Sequence, residues 1–271
     1  MRAYRVTVPE LHEDMATALL WEAGTAGIEV GAASEDRVSL LAYFEEDVGL
    51  DLLRGRLDGV TIEPVPIPDV DWVARFRESF RAFRVGGFLI APPWDRPLED
   101  EGLLLVDPGR AFGTGTHETT RLCLGALEDR AMRRPLGRVL DVGTGTGILA
   151  VAAARLGAAF VVASDTDPEA IASSAHHAGL NRVTLHLVRC DGAGPFPPAS
   201  FDLVLANLTA PLLVAHAPGL ARLRTPRGTL VLSGLLETDL GDVQGAYADL
   251  GPPEVCRDGE WAALVYEGAA P

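Results

Sequence analysis

The run Val139-Leu140-Asp141-Val142-Gly143-Thr144-Gly145-Thr146-Gly147-Ile148-Leu149 sets the terms for the rest of the chain. An apolar stretch enters a cluster of alternate glycines, and an alanine-rich stretch running to Ala159 leaves it. The pattern predicts a strand, a tight turn and a helix whose N-terminus faces a bound ligand. Glycine is needed where a backbone must turn sharply and approach a ligand with no Cβ in the way. A dinucleotide-binding loop more often reads G-x-G-x-x-G. Both kinds of loop tolerate variation, so the turn alone does not separate a dinucleotide from another nucleoside ligand.

The residues that follow narrow the choice. Val161-Val162-Ala163-Ser164-Asp165 reads as a second strand ending in an acid, twenty-two residues after Gly143. A carboxylate at the carboxyl edge of a strand can accept both hydroxyls of a ribose. Asp165 could instead cap the next helix, but Asp167 already serves as its N-cap, with Pro168 at the first position. Strand, glycine turn, helix, strand and acid make the ligand-binding half of a doubly wound α/β domain. Three alternate glycines preceded by Asp141 resemble class I S-adenosylmethionine-dependent methyltransferases.

Of 271 residues, 48% are hydrophobic and 23% charged, which is the balance of a core-forming chain rather than a disordered one. No run of about 18 apolar residues predicts a membrane span. Residues 1–9 alternate polar and apolar without a signal-peptide core, so a cytoplasmic location is expected. Cys123, Cys190 and Cys256 are far apart without metal-ligand spacing, which predicts free thiols and no metal site. The formal charge of −15 argues against nucleic acid as the main partner and suits a basic one. Every fixed cation is arginine; an enzyme of this sequence that methylated lysine would carry no lysine of its own to modify.

Residues 1–66 read as a unit of strand (4–8), helix (11–23, ending at Gly24), strands (28–30 and 38–44), short helix (50–57) and strand (61–65). That order belongs to a ferredoxin-like sandwich. It holds thirteen acids against five arginines, a net charge of −8. A solubilising surface and a docking face for a basic protein explain that charge equally well. Pro64, Pro66 and Pro68 predict a stiff connector. Asp71 then caps a helix carrying Trp72, Phe76, Phe80 and Phe83, so residues 67–86 are expected to link the first domain to a second at 87–271.

A second chemical stretch, Asp107-Pro108-Gly109-Arg110-Ala111-Phe112-Gly113-Thr114-Gly115-Thr116-His117-Glu118-Thr119-Thr120, runs into an apolar helix. Hydroxyls and open amides at a helix start can hold a carboxylate. His117 is the histidine nearest this chemistry; His176, His177, His186 and His216 form no metal-like set. Residues 201–206 read as a central strand running into Asn207-Leu208-Thr209-Ala210. Ligands of open α/β sheets sit beyond such ends, although Asn207 could also cap the helix near Pro211.

Together FGTGTHETT, the preceding DPGRA, DVGTGTGIL, SDTDPEAI and ANLTAPLL look like the bacterial ribosomal protein L eleven methyltransferase family, and DWVARFRESFRAFRVG is similar to its linker helix. The resemblance implies S-adenosyl-L-methionine as cofactor, contacted by Thr120, Gly143, Asp165 and Asn207, and the rest of the glycine turn, Asp141, Gly145 and Gly147, is expected to belong to the same site. Asp191, after a strand at residues 184–189, takes the place where class I enzymes often hold the adenine amino group. Asn207 is the expected catalytic residue, and Phe112, Thr116, His117, Leu208 and Thr209 the expected acceptor pocket. The implied substrates are lysine side chains and the N-terminal amine of one large-subunit ribosomal protein. A small-molecule methyltransferase with the same catalytic domain is the alternative. A monomer is expected, since no heptad or exposed apolar stripe requires a dimer. A helix at residues 240–250 between strands 229–234 and 261–266 is expected to close the domain with an antiparallel strand.

Overall fold

In the computed structural model, which describes residues 2–25, 27–31, 37–44, 59–66, 80–98, 101–108 and 115–268, the chain divides into two units, Met1–Asp71 and Trp72–Pro271. The first unit is built on alternation. Strands β1 (Arg2–Pro9), β2 (Gly27–Val30), β3 (Arg37–Phe44) and β4 (Thr61–Val65) form an antiparallel sheet in the order β2-β3-β1-β4. Val38, Leu40, Ala42 and Phe44 all point to one face of β3, where they bury against Ala16, Leu19 and Leu20 of helix α1 (Glu13–Glu22). Gly24, at φ +83°, turns the chain after that helix. Pro64 is tolerated because β4 is an edge strand. The helix expected at residues 50–57 lies outside the described residues.

The second unit opens with a small sheet of β5 (Phe83–Val85), β6 (Phe88–Ala91) and β7 (Leu103–Leu105). Phe83 was expected at the end of a linker helix and is instead in a strand. Gly86 and Gly87 form a turn that folds β5 back on β6, pairing Phe83 with Ile90. The Gly87 amide is pinned by the Glu128 carboxylate at 3.0 Å, and Phe80 packs edge-on against Phe83. The rest of that expected helix, with Trp72 and Phe76, lies outside the described residues.

The main sheet has seven strands in the order β10-β9-β8-β11-β12-β14-β13, with β14 (Trp261–Glu267) antiparallel to both its neighbours. Its parallel strands are β8 (Arg138–Val142), β9 (Phe160–Asp165), β10 (His186–Arg189), β11 (Phe201–Asn207) and β12 (Arg224–Leu236). They are buried on both faces: Val139 belongs to one core, Leu140 and Val142 to the other. Helices α2 (Glu118–Arg133), α3 (Ile148–Arg155) and α4 (Pro168–Asn181) follow in chain order. The alanine run of α3 has a packing reason, because every residue from 148 to 153 is buried and larger side chains would not fit. The other face carries α5 (Ala210–Ala215), α6 (Ala217–Leu223) and α7 (Leu240–Ala246), which contribute Leu213, Leu220 and Val243 to the core. An edge strand β13 (Glu254–Asp258) pairs with β14 at the end of the sheet, a third tail strand where two were expected. This is the class I methyltransferase fold. No described helix is long and apolar enough to cross a membrane.

Buried side chains from α4 guard the small sheet. Asn181 accepts from the Leu105 amide and donates to the Leu105 carbonyl, both at 2.8 Å, standing in for a missing strand. The His177 Nε2 accepts from the Asp107 amide at 3.0 Å while its Nδ1 meets the Ser173 carbonyl. Burial lowers the pKa of this histidine, keeping it neutral with Nε2 as the acceptor. Leaving one such amide unpaired costs about 1–3 kcal/mol, so α4 fixes where the Asp107 stretch begins.

Candidate active site

The carboxyl ends of β8, β9 and β11 open into one cleft of about 610 Å³. Ligands of open sheets bind where strand order reverses, as it does here between β8 and β11. The turn after β8 is a set of left-handed residues: Gly143 at φ +69°, Gly145 at +54° and Gly147 at +84°. A Cβ on Gly143 would lie 2.3 Å from the Leu208 side chain, and one on Gly147 would press on Ser174 of α4. Gly143 and Gly145 line the cleft; Gly147 is the N-cap of α3, behind it.

Asp165 closes β9 and shapes the same turn. Its Oδ2 accepts the Gly145 amide and its Oδ1 accepts the Asp167 amide, each at 3.0 Å. A carboxylate has further lone pairs, so the half-buried Asp165 can still receive ribose hydroxyls in the cleft. Asp167 caps α4 through the Glu169 amide at 2.8 Å, with Pro168 first in the helix. Asp191, just past the end of β10 beside Asp165, lines the same cleft with a 76% exposed side chain.

Asp141 is not in the wall. It is buried under the turn, where the Thr144 hydroxyl donates to its Oδ2 at 2.6 Å. Burial pushes its pKa to about 6 against a partial opposing pull from that hydroxyl. Below about pH 4 the acid is protonated in both the folded and unfolded chain, and it costs nothing. Between about pH 4 and 6 the unfolded chain releases the proton first, so stability falls as pH rises; above that the penalty is complete, about 3 kcal/mol. Asp141→Asn therefore raises the melting temperature of the cofactor-free protein at pH 7.5, with a gain that shrinks toward pH 4.5. Thermal unfolding across that range checks it, and a pH-independent difference would count against a buried carboxylate.

Asn207 is the last residue of β11, half-buried and facing the cleft. It does not cap the following helix, whose N-cap is Thr209. The Leu208 amide donates to the Ser233 carbonyl at 2.9 Å, and a Cβ on Gly234 would collide with the Leu208 carbonyl at 2.3 Å. The bulge at Gly234 in β12 thus holds the Asn207–Leu208 backbone. Leu208 and Thr209 line the cleft beside it.

On the third side stands the start of α2. His117 is its N-cap, its Nδ1 accepting from the Thr119 amide, and its ring meets Trp261 edge-on at 4.7 Å. Thr120 is 1% exposed, and its Oγ1 is buried without a protein partner on the cleft wall. An orphaned hydroxyl at a helix N-terminus is the kind of group a ligand carboxylate completes. Thr116 is exposed and does not line the cleft; its carbonyl is held by Arg121, itself paired with Asp258 at 2.8 Å. Phe112 lies outside the described residues.

Three aspartates and no arginine line the cleft among the described residues. That balance suits a cationic ligand and not a pyrophosphate, and the Gly145 amide that a phosphate would need is already taken by Asp165. Thiol nucleophiles are disfavoured as well. Burial raises the pKa of Cys190 on the cleft wall and pushes Cys123, behind it, to about 12. The described residues bring no metal-binding group of His, Cys, Asp and Glu together. S-adenosylmethionine fits: acid for ribose, orphaned hydroxyl for its carboxylate, acidic walls for its sulfonium.

Trp261 and His216 are among the wall residues that escape a reading of the sequence. Trp261 begins the antiparallel β14, and an antiparallel strand starts at the edge where its parallel neighbours end. His216 sits between α5 and α6, at a break in the region where only a helix near Pro211 was expected.

A family model for ribosomal protein L11 methyltransferase (PrmA) matches residues 5–268. The chain is 40% identical to the ribosomal protein L11 methyltransferase of Pelobacter propionicus, over 91% of this chain and 89% of that protein. It is 45% identical to that of Geobacter sulfurreducens, over 75% of this chain and 70% of that protein. Among solved structures, the ribosomal protein L11 methylase of Lactobacillus delbrueckii subsp. bulgaricus superimposes with a TM-score of 0.63 at 32% identity, covering 70% of this chain and all of that one.

Proposed function

The chain belongs to the ribosomal protein L11 methyltransferase family, and we propose that it transfers methyl groups from S-adenosylmethionine to amines of ribosomal protein L11, namely lysine side chains and the N-terminal amine. The observation that carries this reading is the grouping, in one acid-lined cleft, of Asp165, the unpartnered Thr120 hydroxyl and Asn207. The bound cofactor supplies an electrophilic methyl group on a sulfonium whose departure as a neutral thioether needs no acid. The chain's task is to present a neutral amine in line with it.

A free lysine amine has a pKa near about 10.4, so at neutral pH it must shed its proton before it can react. Leu208, Trp261 and the His117 ring form a partly apolar wall beside Asn207, and desolvation there favours the uncharged amine. The Asn207 carboxamide oxygen is an acceptor for one amine N–H, which aims the nitrogen lone pair at the methyl carbon. An ammonium product formed there would give its proton to solvent. No strong base is needed, and the cleft offers none.

The acidic residues 1–66, at net −8, suit recognition of a basic protein. The overall −15 charge disfavours direct nucleic-acid binding. Three free cysteines suit a reducing cytoplasm. The test incubates the enzyme with methyl-labelled S-adenosylmethionine and separated ribosomal proteins, read by mass spectrometry. Label is expected on lysine and N-terminal amines of L11 alone. Label on carboxylates or other heteroatoms, or on no protein, would overturn the assignment.

A further inference from the structure

His216 lies where α5 ends and α6 begins, and its backbone is pinned from both sides. Its amide donates to the Leu212 carbonyl at 3.0 Å, and its carbonyl accepts the Leu220 amide at 2.9 Å. From that fixed point the imidazole reaches across to the turn after β10. Its Nε2 stands 3.4 Å from Asp191 Oδ1. Its ring lies directly on Gly192, where an added Cβ would be 2.4 Å from Nδ1. Gly192 is buried with φ +50°, so the turn has room for the ring only because it lacks a side chain. Behind it, a Cβ on Gly219 of α6 would press on Ala193 at 2.9 Å, so the corner and the turn are closely packed.

Asp191 differs from the other acids of the cleft. Asp165 is fixed by two backbone amides and Asp167 by a helix cap, whereas the Asp191 side chain is 76% exposed and reaches His216. A surface carboxylate with free rotamers pays an ordering cost each time it takes up a ligand. A neighbour within ion-pair distance of one oxygen narrows those rotamers and leaves the other oxygen open.

The geometry points to His216 as a positioning residue of the cofactor cleft, one that holds Asp191 and the Gly192 turn so that the free carboxylate oxygen receives the 6-amino group of adenine. This rests on the reading of the cleft as an S-adenosylmethionine site. His216 itself need not touch the cofactor; it acts through Asp191. The chemistry selects a purine that donates from position 6 over one that carries an acceptor there.

The test is isothermal titration of the full chain with S-adenosylhomocysteine and with S-inosylhomocysteine, in which an oxo group replaces the 6-amino group. The wild type is expected to prefer the adenosyl ligand by about tenfold, the worth of one hydrogen bond to a charged group. His216→Leu, which keeps bulk and loses the polar contact, weakens the adenosyl ligand by about fivefold and the inosyl ligand by less than about twofold. His216→Gln, which keeps a donor at similar reach, restores most of the preference. Equal weakening of both ligands would mean that His216 only supports the α5–α6 corner, and unchanged adenosyl affinity in His216→Leu would mean no role; either overturns the proposal. Loss of the preference in Asp191→Ala with His216→Leu inert removes His216 alone. Failure of the wild type to bind either ligand removes the cofactor reading, and His216 with it.

Discussion

Asn207→Ala lowers kcat for methyl transfer to L11 by about 10²-fold or more, while the Kd for S-adenosylhomocysteine rises by no more than about threefold. The expectation comes from where the residue sits. It ends β11 at the open edge of the sheet, its following backbone is held by the Ser233 carbonyl, and the close approach at Gly234 leaves that backbone little freedom. An acceptor carried on so fixed a backbone suits the proposed task of orienting an amine, and orientation is what an in-line displacement lacks when it is lost. Alanine leaves the backbone and the rest of the cleft in place, so cofactor affinity is spared. Asn207→Asp separates orientation from charge. A carboxylate still accepts an N–H but also stabilises the ammonium form, so the alkaline rise of the rate moves to higher pH. Single-turnover rates across pH check both variants. A kcat within about threefold of wild type in Asn207→Ala would remove the residue from the chemistry.

The parts of this molecule that were legible in the sequence are those where a local rule and the tertiary context ask for the same residue. Gly143 and Gly147 are needed for the backbone turn itself, and the same turn carries the ligand side of the cleft. Asp167 and Pro168 mark a helix start by local hydrogen bonding alone. The shortfalls have the opposite character. Phe83 has helical spacing with Phe76 and Phe80, yet the glycine pair at 86–87 permits a hairpin, and pairing with β6 prevails over periodicity. Asp141 precedes the turn like a ligand-binding acid, but the strand's inward face carries it beneath the turn, where it holds Thr144. Trp261 and His216 reach the cleft through sheet order and the break between α5 and α6, which no short window of sequence displays. Cys256 sits in an edge strand that exists only because β14 offers it a partner.

Asp165→Ala is expected to raise the Kd for S-adenosylmethionine by about 10²-fold, the largest effect on binding of any single change in the cleft. Hydrogen bonds to a charged group contribute about 1.5–3 kcal/mol each, and this carboxylate is placed to accept from ribose while it also holds the turn. Its Oδ2 receives the Gly145 amide, so alanine both removes the ribose acceptor and frees a backbone donor inside an acidic cleft. Asp165→Asn distinguishes the two roles. Its single carbonyl oxygen can keep the Gly145 amide or face the ribose hydroxyls, while its NH2 group is set against the Asp167 amide, a donor opposite a donor. The turn therefore shifts as well, and Asp165→Asn should bind only slightly better than Asp165→Ala. The folded protein without cofactor loses little in either variant, because both amides lie near solvent at the cleft. Titration calorimetry with thermal unfolding of the cofactor-free protein measures the two effects separately. An affinity within about threefold of wild type in Asp165→Ala would show that the carboxylate only shapes the turn, and would return the ribose to another part of the wall.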